Sequence, residues 1–237
     1  MQDFLGDRMK GYEDSFRVNL PKRMPVIIRL DGKAFHSYTK GCKKPYDDSL
    51  ITCMANTALA LCEQIQGVAV AYTQSDEISL LLINYTELET QPWYKNNLQK
   101  ITSVAASIAS VSFTMQSSNI FGKIKPAYFD ARAFVLPKEE VNNYFVWRQE
   151  DCRRNSLAAI AQSQFSQKEL SGKKLKNMKE MLLNKGIDWD GFSTKYKNGL
   201  AVIKNTFIKD NVIRSKWVVD NEIPLFSTTT DYINKYI

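Results

Sequence analysis

The sequence predicts an α+β fold: an antiparallel sheet in the split, ferredoxin-like order βαββαβ with helices on one face, followed by a C-terminal α/β extension. Three observations predict it. Val26, Ile27, Ile28 and Leu30 form an apolar run that stops at Asp31-Gly32; residues 67–84 read as two apolar arms around a polar bend; and two stretches with apolar residues at three- and four-residue spacing, 46–66 and 98–115, stand between strands. With 237 residues and 44% hydrophobic content, the chain can bury a substantial core.

In chain order, residues 3–18 carry Phe4, Met9, Tyr12 and Phe16 at helix-compatible spacing among mixed charges, and Pro21 and Pro25 close the segment, so a surface helix leads into the core. The run at 26–30 is then a buried strand that delivers the carboxylate of Asp31 at its end, and Gly32 permits close backbone approach there. Lys33, Ala34, Phe35 and His36 follow at once. His36 reads either as a packing or hydrogen-bonding residue after a strand or, with Asp31 so near, as a nucleotide contact. Lys40, Lys43 and Lys44, before Pro45, are a solvated loop or a cationic clamp for phosphates, for which lysine serves as a point charge. Asp47 or Asp48 can cap a helix over 46–66, in which Leu50, Ile51, Met54, Ala58, Leu61 and Ile65 recur on one side.

In the next segment Val68, Val70 and Tyr72 alternate with Ala69, Ala71 and Thr73, and 78–83 is continuously apolar, so both arms are strands with 73–77 as the bend. Asp76 and Glu77 sit side by side in that bend. Within a well-covered sheet two such carboxylates are costly unless a cation meets them; the plainer reading is a solvated turn capped by Asp76. Right-handed packing of a strand-helix-strand unit lays the end of the first strand beside the hairpin, so Asp31 and Asp76 can converge on one sheet edge. Two carboxylates with a glycine carbonyl make a hard-oxygen site suited to Mg²⁺, and a pair of such ions activates an attacking oxygen and stabilises a leaving pyrophosphate, the logic of palm-type polymerases. A helix over 98–115, with Lys95 and Lys100 at its start placed to face phosphate, and a strand over 127–137 holding Asp130 and Arg132 complete the order.

The formal charge of +7 favours a polyanionic partner such as RNA. Cys42, Cys53, Cys62 and Cys152 lack metal-binding spacing and His36 is the single histidine, which argues against a structural zinc and against a disulfide framework; Cys53 and Cys62 read as small core residues. The charged N-terminus has no apolar signal core and no stretch approaches a membrane span, so a cytoplasmic protein without a membrane partner is expected. Further on, residues 167–185 read as a basic helical stretch interrupted by Gly172. Its Lys173, Lys174, Lys176 and Lys179 form a solvated face or an RNA-backbone surface, and 200–207 with 214–219 read as a strand pair.

Several motifs occur in an order that resembles the tRNA-His guanylyltransferase superfamily of 3′-to-5′ nucleotide polymerases, in particular its guanylyltransferase-like branch that repairs truncated tRNA 5′ ends. They are Arg29-Leu30-Asp31-Gly32-Lys33-Ala34-Phe35-His36, Lys44-Pro45, Tyr72-Thr73-Gln74-Ser75-Asp76-Glu77, Phe129-Asp130-Ala131-Arg132 and Trp147-Arg148-Gln149-Glu150-Asp151-Cys152, with a fainter match at Tyr196-Lys197-Asn198-Gly199. The resemblance implies a palm fold in residues 1–137, including the N-terminal helix, and a helical and strand extension in 138–237 that contributes RNA binding and oligomer contacts. By similarity, Asp31, the Gly32 carbonyl and Asp76 hold two Mg²⁺ ions, Asp31 and Asp76 being catalytic. Asp31, Gly32, Lys33, Ala34, Phe35, His36, Ser75 and Asp76 bind the incoming nucleotide, and Lys44 meets a triphosphate at an activation site.

The implied reaction activates a 5′-monophosphate RNA end with ATP or GTP, after which the 3′-hydroxyl of an incoming nucleoside triphosphate attacks the activated phosphate. The implied partners are tRNA and nucleoside triphosphates, with the chain in a homotetramer. Lys100, Arg132, Arg153, Arg154 and Asn155 are the expected RNA contacts. Eukaryotic guanylyltransferases carry a His-Ile-Asn-Asn/Ser-Leu-Tyr-Asn stretch after the Asp-Cys, whereas here Arg153-Arg154-Asn155-Ser156-Leu157-Ala158-Ala159 keeps only Asn, Ser and Leu. That departure favours template-directed repair over G addition at position −1 of tRNA-His, which stays as an alternative. A catalytically silent RNA-binding protein that kept the palm, and a palm-type nucleotide cyclase, are readings of other classes.

Overall fold

A computed structural model describes residues 4–237. The elements run α1 (Phe4–Asp14), β1 (Val26–Gly32), α2 (Phe35–Tyr38), α3 (Asp48–Gln64), β2 (Val68–Gln74), β3 (Glu77–Leu82), α4 (Leu98–Phe121), β4 (Phe129–Val135), α5 (Lys138–Gln164), α6 (Gln167–Leu170), α7 (Leu175–Asn184), α8 (Thr194–Lys197), β5 (Leu200–Lys209), β6 (Val212–Asp220) and α9 (Asp231–Asn234). Asp3, where the expected first helix begins, lies outside the described residues. None of the residues of α1 is buried.

One sheet of six strands in the order β4-β1-β3-β2-β5-β6, with every neighbouring pair antiparallel, organises the chain. Its first four strands have the order 4-1-3-2 of the split βαβ arrangement. The crossover helices α3 and α4 lie together on one face. There Ile28 and Leu30 of β1 and Ile78 and Leu80 of β3 pack against Met54, Leu61, Ile101, Ala105 and Phe113. Both helices start on side-chain caps: Asp47 accepts from the N–H groups of Ser49 and Leu50, and Asn97 accepts from that of Lys100. Helix α4 continues to Phe121, beyond the expected end near Met115, and Gly122 at φ 62° closes it.

The opposite face is covered by α5, for which the sequence signalled no element. Val141, Tyr144 and Phe145 pack over Ile27, Val70, Tyr72 and Leu81, and Phe226 and Ile233 close that cluster. The far half of α5 organises a third cluster, with Leu157 and Ile160 against Leu170, Leu182 and Trp189. The strand pair read at 200–207 and 214–219 is β5 and β6. It extends the same sheet, with Leu200 to Ile203 paired to Thr73 to Val70. The basic stretch at 167–185 is broken as expected at Gly172, which sits at φ 70° between α6 and α7. Among the described residues, no helix is long and apolar enough to cross a membrane.

Candidate active site

Strands β2 and β3 stay paired to Gln74↔Glu77, so the bend is tighter than expected: Ser75 and Asp76 alone form the turn. Ser75 adopts φ 50°, in the left-handed region that costs a non-glycine residue about 1–2 kcal/mol. The turn reaches the end of β1, where the N–H of Gly32 donates to the Asp76 carbonyl at 3.1 Å. Asp31 is in register with Glu77 on one side and Asp130 on the other, so Asp31 and Asp76 meet at one end of the sheet. Burial pushes the Asp76 carboxyl above its ordinary range, the Ser75 hydroxyl at 2.9 Å pulls it back, and the charge of Asp31 pushes it up again. Neither Asp31 nor Asp76 has a basic partner among the described residues. Two converging carboxylates left without a counter-charge are a donor set that fits a hard divalent cation.

Glu77 has a different environment, although it adjoins Asp76. Arg148 of α5 donates from Nε to Oε1 and from Nη2 to Oε2, both at 2.7 Å, and the two side chains are 8% and 9% exposed. Arg148 also bonds Asp151 at 2.9 Å, and Asp151 takes a second bond from Arg154 at 2.9 Å. Burial raises the Glu77 carboxyl while the guanidinium bonds hold it down. Both Glu77 oxygens are therefore engaged by α5.

The segment after β1 is shaped by packing. A Cβ on Gly32 would lie 2.3 Å from the Phe35 ring, which is itself buried against Tyr38 and Phe129 at centroid distances of 5.1 Å. Ala34 at φ 54° turns the chain into α2, leaving His36 exposed. A cleft of about 470 Å³ opens here, lined by His36, Pro45, Tyr46, Ser75, Asp76, Asn155, Lys195 and Tyr196. Tyr46 and Tyr196 stack at 4.4 Å and 5°, and Asp48 ties down both Tyr196, at 2.8 Å, and Lys195, at 2.7 Å. Gly199 brings the strand after α8 against β2: at φ 82° its added Cβ would lie 2.7 Å from the Thr73 carbonyl.

The model of the tRNA-His guanylyltransferase family matches residues 6–137. The chain belongs to this family. Among its relatives, tRNA(His) guanylyltransferase 2 of Arabidopsis thaliana is 30% identical over 76% of this chain and 35% of its own, longer one. A bacterial tRNA(His) guanylyltransferase-like protein solved in complex with ATP superimposes with a TM-score of 0.91 at 43% identity, over 99% of both chains. A bacterial protein of the same description in complex with GTP gives 0.85 at 41% identity, again over 99% of both.

Within the family's matched region, Lys33 is exposed and its N–H donates to the Tyr128 carbonyl at 2.8 Å, while Lys44 is exposed on the loop next to Pro45 at the cleft. Lys100 lies elsewhere. Chain β3 leads away from the turn, so α4 begins at the far end of the sheet, where Lys100 lines a second pocket with Arg17, Tyr94 and Lys95. Arg132 is exposed on β4 with Asp130 at 3.7 Å. Of the expected RNA contacts on α5, Arg153 stacks 4.8 Å over Trp189 and bonds Asn198, Arg154 is paired with Asp151, and Asn155 lines the cleft. Reading the sequence did not single out Tyr46, Asp48, Lys195 or Arg148 for this site. Tyr46 directly follows Lys44-Pro45, and Lys195 precedes the faint Tyr196-Lys197-Asn198-Gly199 match, so motif neighbours were the available signal.

Proposed function

We propose that the protein is a Mg²⁺-dependent, template-directed 3′-to-5′ nucleotidyltransferase that rebuilds truncated tRNA 5′ ends after activation of a 5′-monophosphate with ATP or GTP. The observation that carries this reading is the meeting of Asp31 with Asp76, which lines the cleft of about 470 Å³, neither with a basic partner among the described residues, in a chain of the tRNA-His guanylyltransferase family. The ATP and GTP complexes of the similar bacterial proteins support nucleoside triphosphates as substrates.

Asp31, Asp76 and the Gly32 carbonyl would hold a pair of Mg²⁺ ions, which when bound neutralise phosphate charge and favour ionisation of an attacking hydroxyl. No third acidic, histidine or cysteine side chain joins them into a ligand cluster among the described residues, which suits ions that take their other oxygens from water and substrate phosphates. Ser75 and the loop from Asp31 to His36 position the incoming nucleotide, and Tyr46 with Tyr196 walls its cleft. Exposed Lys44 offers charge to the triphosphate of the activating nucleotide. In the addition step, the 3′-hydroxyl oxygen of the incoming triphosphate bonds the RNA 5′ phosphorus, and the activating nucleoside monophosphate leaves. Such transfer depends on positioning and charge neutralisation more than on covalent participation by side chains.

Addition of G at position −1 of tRNA-His is the second reading, supported by the names of the curated relatives. Repair is favoured by the likeness to guanylyltransferase-like proteins over 99% of the chain and by the absence of a histidine after Cys152. The test is incubation of 5′-truncated tRNAs, monophosphorylated or triphosphorylated, with nucleotides and Mg²⁺ while the opposing template base is varied. The added base should follow the template. Addition of G regardless of template would establish the second reading, tight RNA binding without extension a silent RNA-binding protein, and cyclic nucleotide without RNA a cyclase. Cytoplasmic location and a tetramer complete the proposal, and sedimentation of the purified protein checks the latter.

A further inference from the structure

Among the described residues that line the cleft, Lys195 of α8 is the single lysine or arginine; Lys44 is not one of them. Its ammonium is fixed from two sides. Asp48, the first residue of α3, accepts from Nζ at 2.7 Å, and the centre of the Tyr196 ring lies 4.9 Å from Nζ. Tyr196 is itself held: its hydroxyl donates to Asp48 at 2.8 Å and its ring stacks on Tyr46 at 4.4 Å, while the hydroxyls of Tyr46 and Ser156 bond at 2.7 Å. The Lys195 ammonium and the Tyr196 hydroxyl keep the Asp48 carboxyl below its ordinary range, and Asp48 in turn raises Lys195, so both are charged at neutral pH. With the lysine 30% and the aspartate 64% exposed, such a pair contributes little stability. What it provides is a lysine whose rotamer freedom is already spent before a ligand arrives.

Growth of RNA from 3′ to 5′ determines what that cation can meet. The incoming nucleotide reacts through its 3′-hydroxyl, so its own triphosphate takes no part in that addition and is attached on the far side of the ribose. Metal ions at Asp31 and Asp76 serve the attacking hydroxyl and the reacting phosphorus instead. The incoming triphosphate therefore needs a counter-charge of its own once it enters a cleft. Asp76 and Lys195 line the same cavity, so a nucleotide with its 3′-hydroxyl at the carboxylates has Lys195 on the wall beside it.

We propose that Lys195 binds the outer phosphates of the incoming nucleoside triphosphate, with Asp48 as the positioning residue that holds its ammonium in place. An ammonium has three N–H donors; Asp48 and the Tyr196 hydroxyl engage two, and the third serves a phosphate oxygen. The inference rests on the reading of the protein as an RNA 5′-end polymerase. Because the incoming triphosphate is unchanged between ground and transition state, the contact lowers KM and leaves kcat alone.

The test measures addition to triphosphorylated, 5′-truncated tRNA, which bypasses activation, as nucleotide concentration is varied. Lys195→Met should raise KM for the incoming triphosphate about tenfold or more with kcat within about threefold, as loss of a charge-assisted hydrogen bond of uniform strength does. Lys195→Arg, which keeps the charge, should recover most of that loss. Lys204→Met, which removes a cation from β5 outside the cleft, should leave KM unchanged. With a nucleoside monophosphate as the incoming substrate, wild type and Lys195→Met should agree, since the outer phosphates are gone. Asp48→Asn should raise KM in wild type and add nothing to Lys195→Met; additive effects refute its positioning role. A wild type that extends RNA beside a Lys195→Met protein of unchanged KM refutes the phosphate contact alone. A defect confined to activation of monophosphorylated ends assigns the lysine to the activating nucleotide and refutes it too. A lowered melting temperature with kcat lost and KM kept makes the pair a strut between α3 and α8, again refuting it. A wild type that extends no RNA refutes the parent reading as well.

Discussion

Replacing Arg148 by alanine would strip both guanidinium hydrogen bonds from Glu77 and leave its carboxylate, with only the long 3.5 Å bond from the Ser79 hydroxyl, without its counter-charge in a site where the two side chains are 8% and 9% exposed. Removing one partner of a buried ion pair typically costs about 3–5 kcal/mol, and for a chain of this size each kcal/mol lowers the melting temperature by about 2–4 °C. A drop of about 6–20 °C follows. Its pH dependence carries the sharper test. Burial already holds the folded Glu77 carboxyl above its unfolded value, against the pull of Arg148. Such a group favours folding below its unfolded pKa, and that contribution is lost as pH rises through the folded value. Without the guanidinium the folded value moves higher still, so the deficit of Arg148→Ala should be smaller at acid pH, measured at pH 5, than at pH 8. Melting curves of wild type and variant at both pH values measure this. A drop below about 2 °C, or an equal drop at the two pH values, would refute the buried pair as a strut between α5 and β3.

Asp31→Ala and Asp76→Ala should each lower tRNA extension by at least about a hundredfold, as loss of preorganised charge stabilisation does, with melting within a few degrees of wild type; near-wild-type turnover by either would overturn the metal assignment. Because Asp76 is held above the usual carboxylate range by burial and then by Asp31, the acid limb of extension should lie above ordinary aspartate and move to lower pH as Mg²⁺ rises, since cation and proton compete for one carboxylate; a limb independent of Mg²⁺ would count against that competition. Lys44→Ala should slow activation of monophosphorylated ends by about tenfold or more while sparing triphosphorylated RNA, and an equal defect on both substrates would contradict its role at the activating nucleotide.

The parts of the fold with a clean period were legible. β1, α3, the β2–β3 hairpin and β4 follow from apolar runs and three- and four-residue spacing, and the chain-order geometry of strand, helix and hairpin was enough to bring Asp31 to Asp76. Helix α5 was not, and its buried positions explain why. Beside Val141, Phe145 and Ile160 it buries Asn142, Arg148, Gln149 and Ser156, because it packs on the sheet in one half and on α6 and α7 in the other. A helix that changes its neighbours along its length has no single apolar stripe to read. The cleft wall was hidden for a related reason: Tyr46 and Tyr196 are 150 residues apart and meet only once β5 is paired to β2.

The same helix resolves the pair of carboxylates in the hairpin. Although the two are side by side in sequence, Asp76 is the expected metal ligand and Glu77 is expected to hold a neighbouring side chain or a backbone amide instead of an ion. The ladder separates them, since Glu77 is the first paired residue of β3 and must face one side of the sheet, whereas Asp76 is in the turn and free of that constraint. Facing α5, Glu77 is neutralised by Arg148; in the turn, Asp76 stays without a counter-charge next to Asp31. A buried pair with geometry this close contributes little net stability compared with apolar packing, so its value here is placement. By fixing the first residue of β3 to α5, it holds the turn at the one position where the Gly32 N–H can reach the Asp76 carbonyl. Substituting Glu77 should therefore alter how well Asp31 and Asp76 converge, and with it the Mg²⁺ concentration needed for extension, without removing a ligand. A Glu77→Gln variant that keeps the wild-type Mg²⁺ requirement and rate would show that the turn holds its place without the strut.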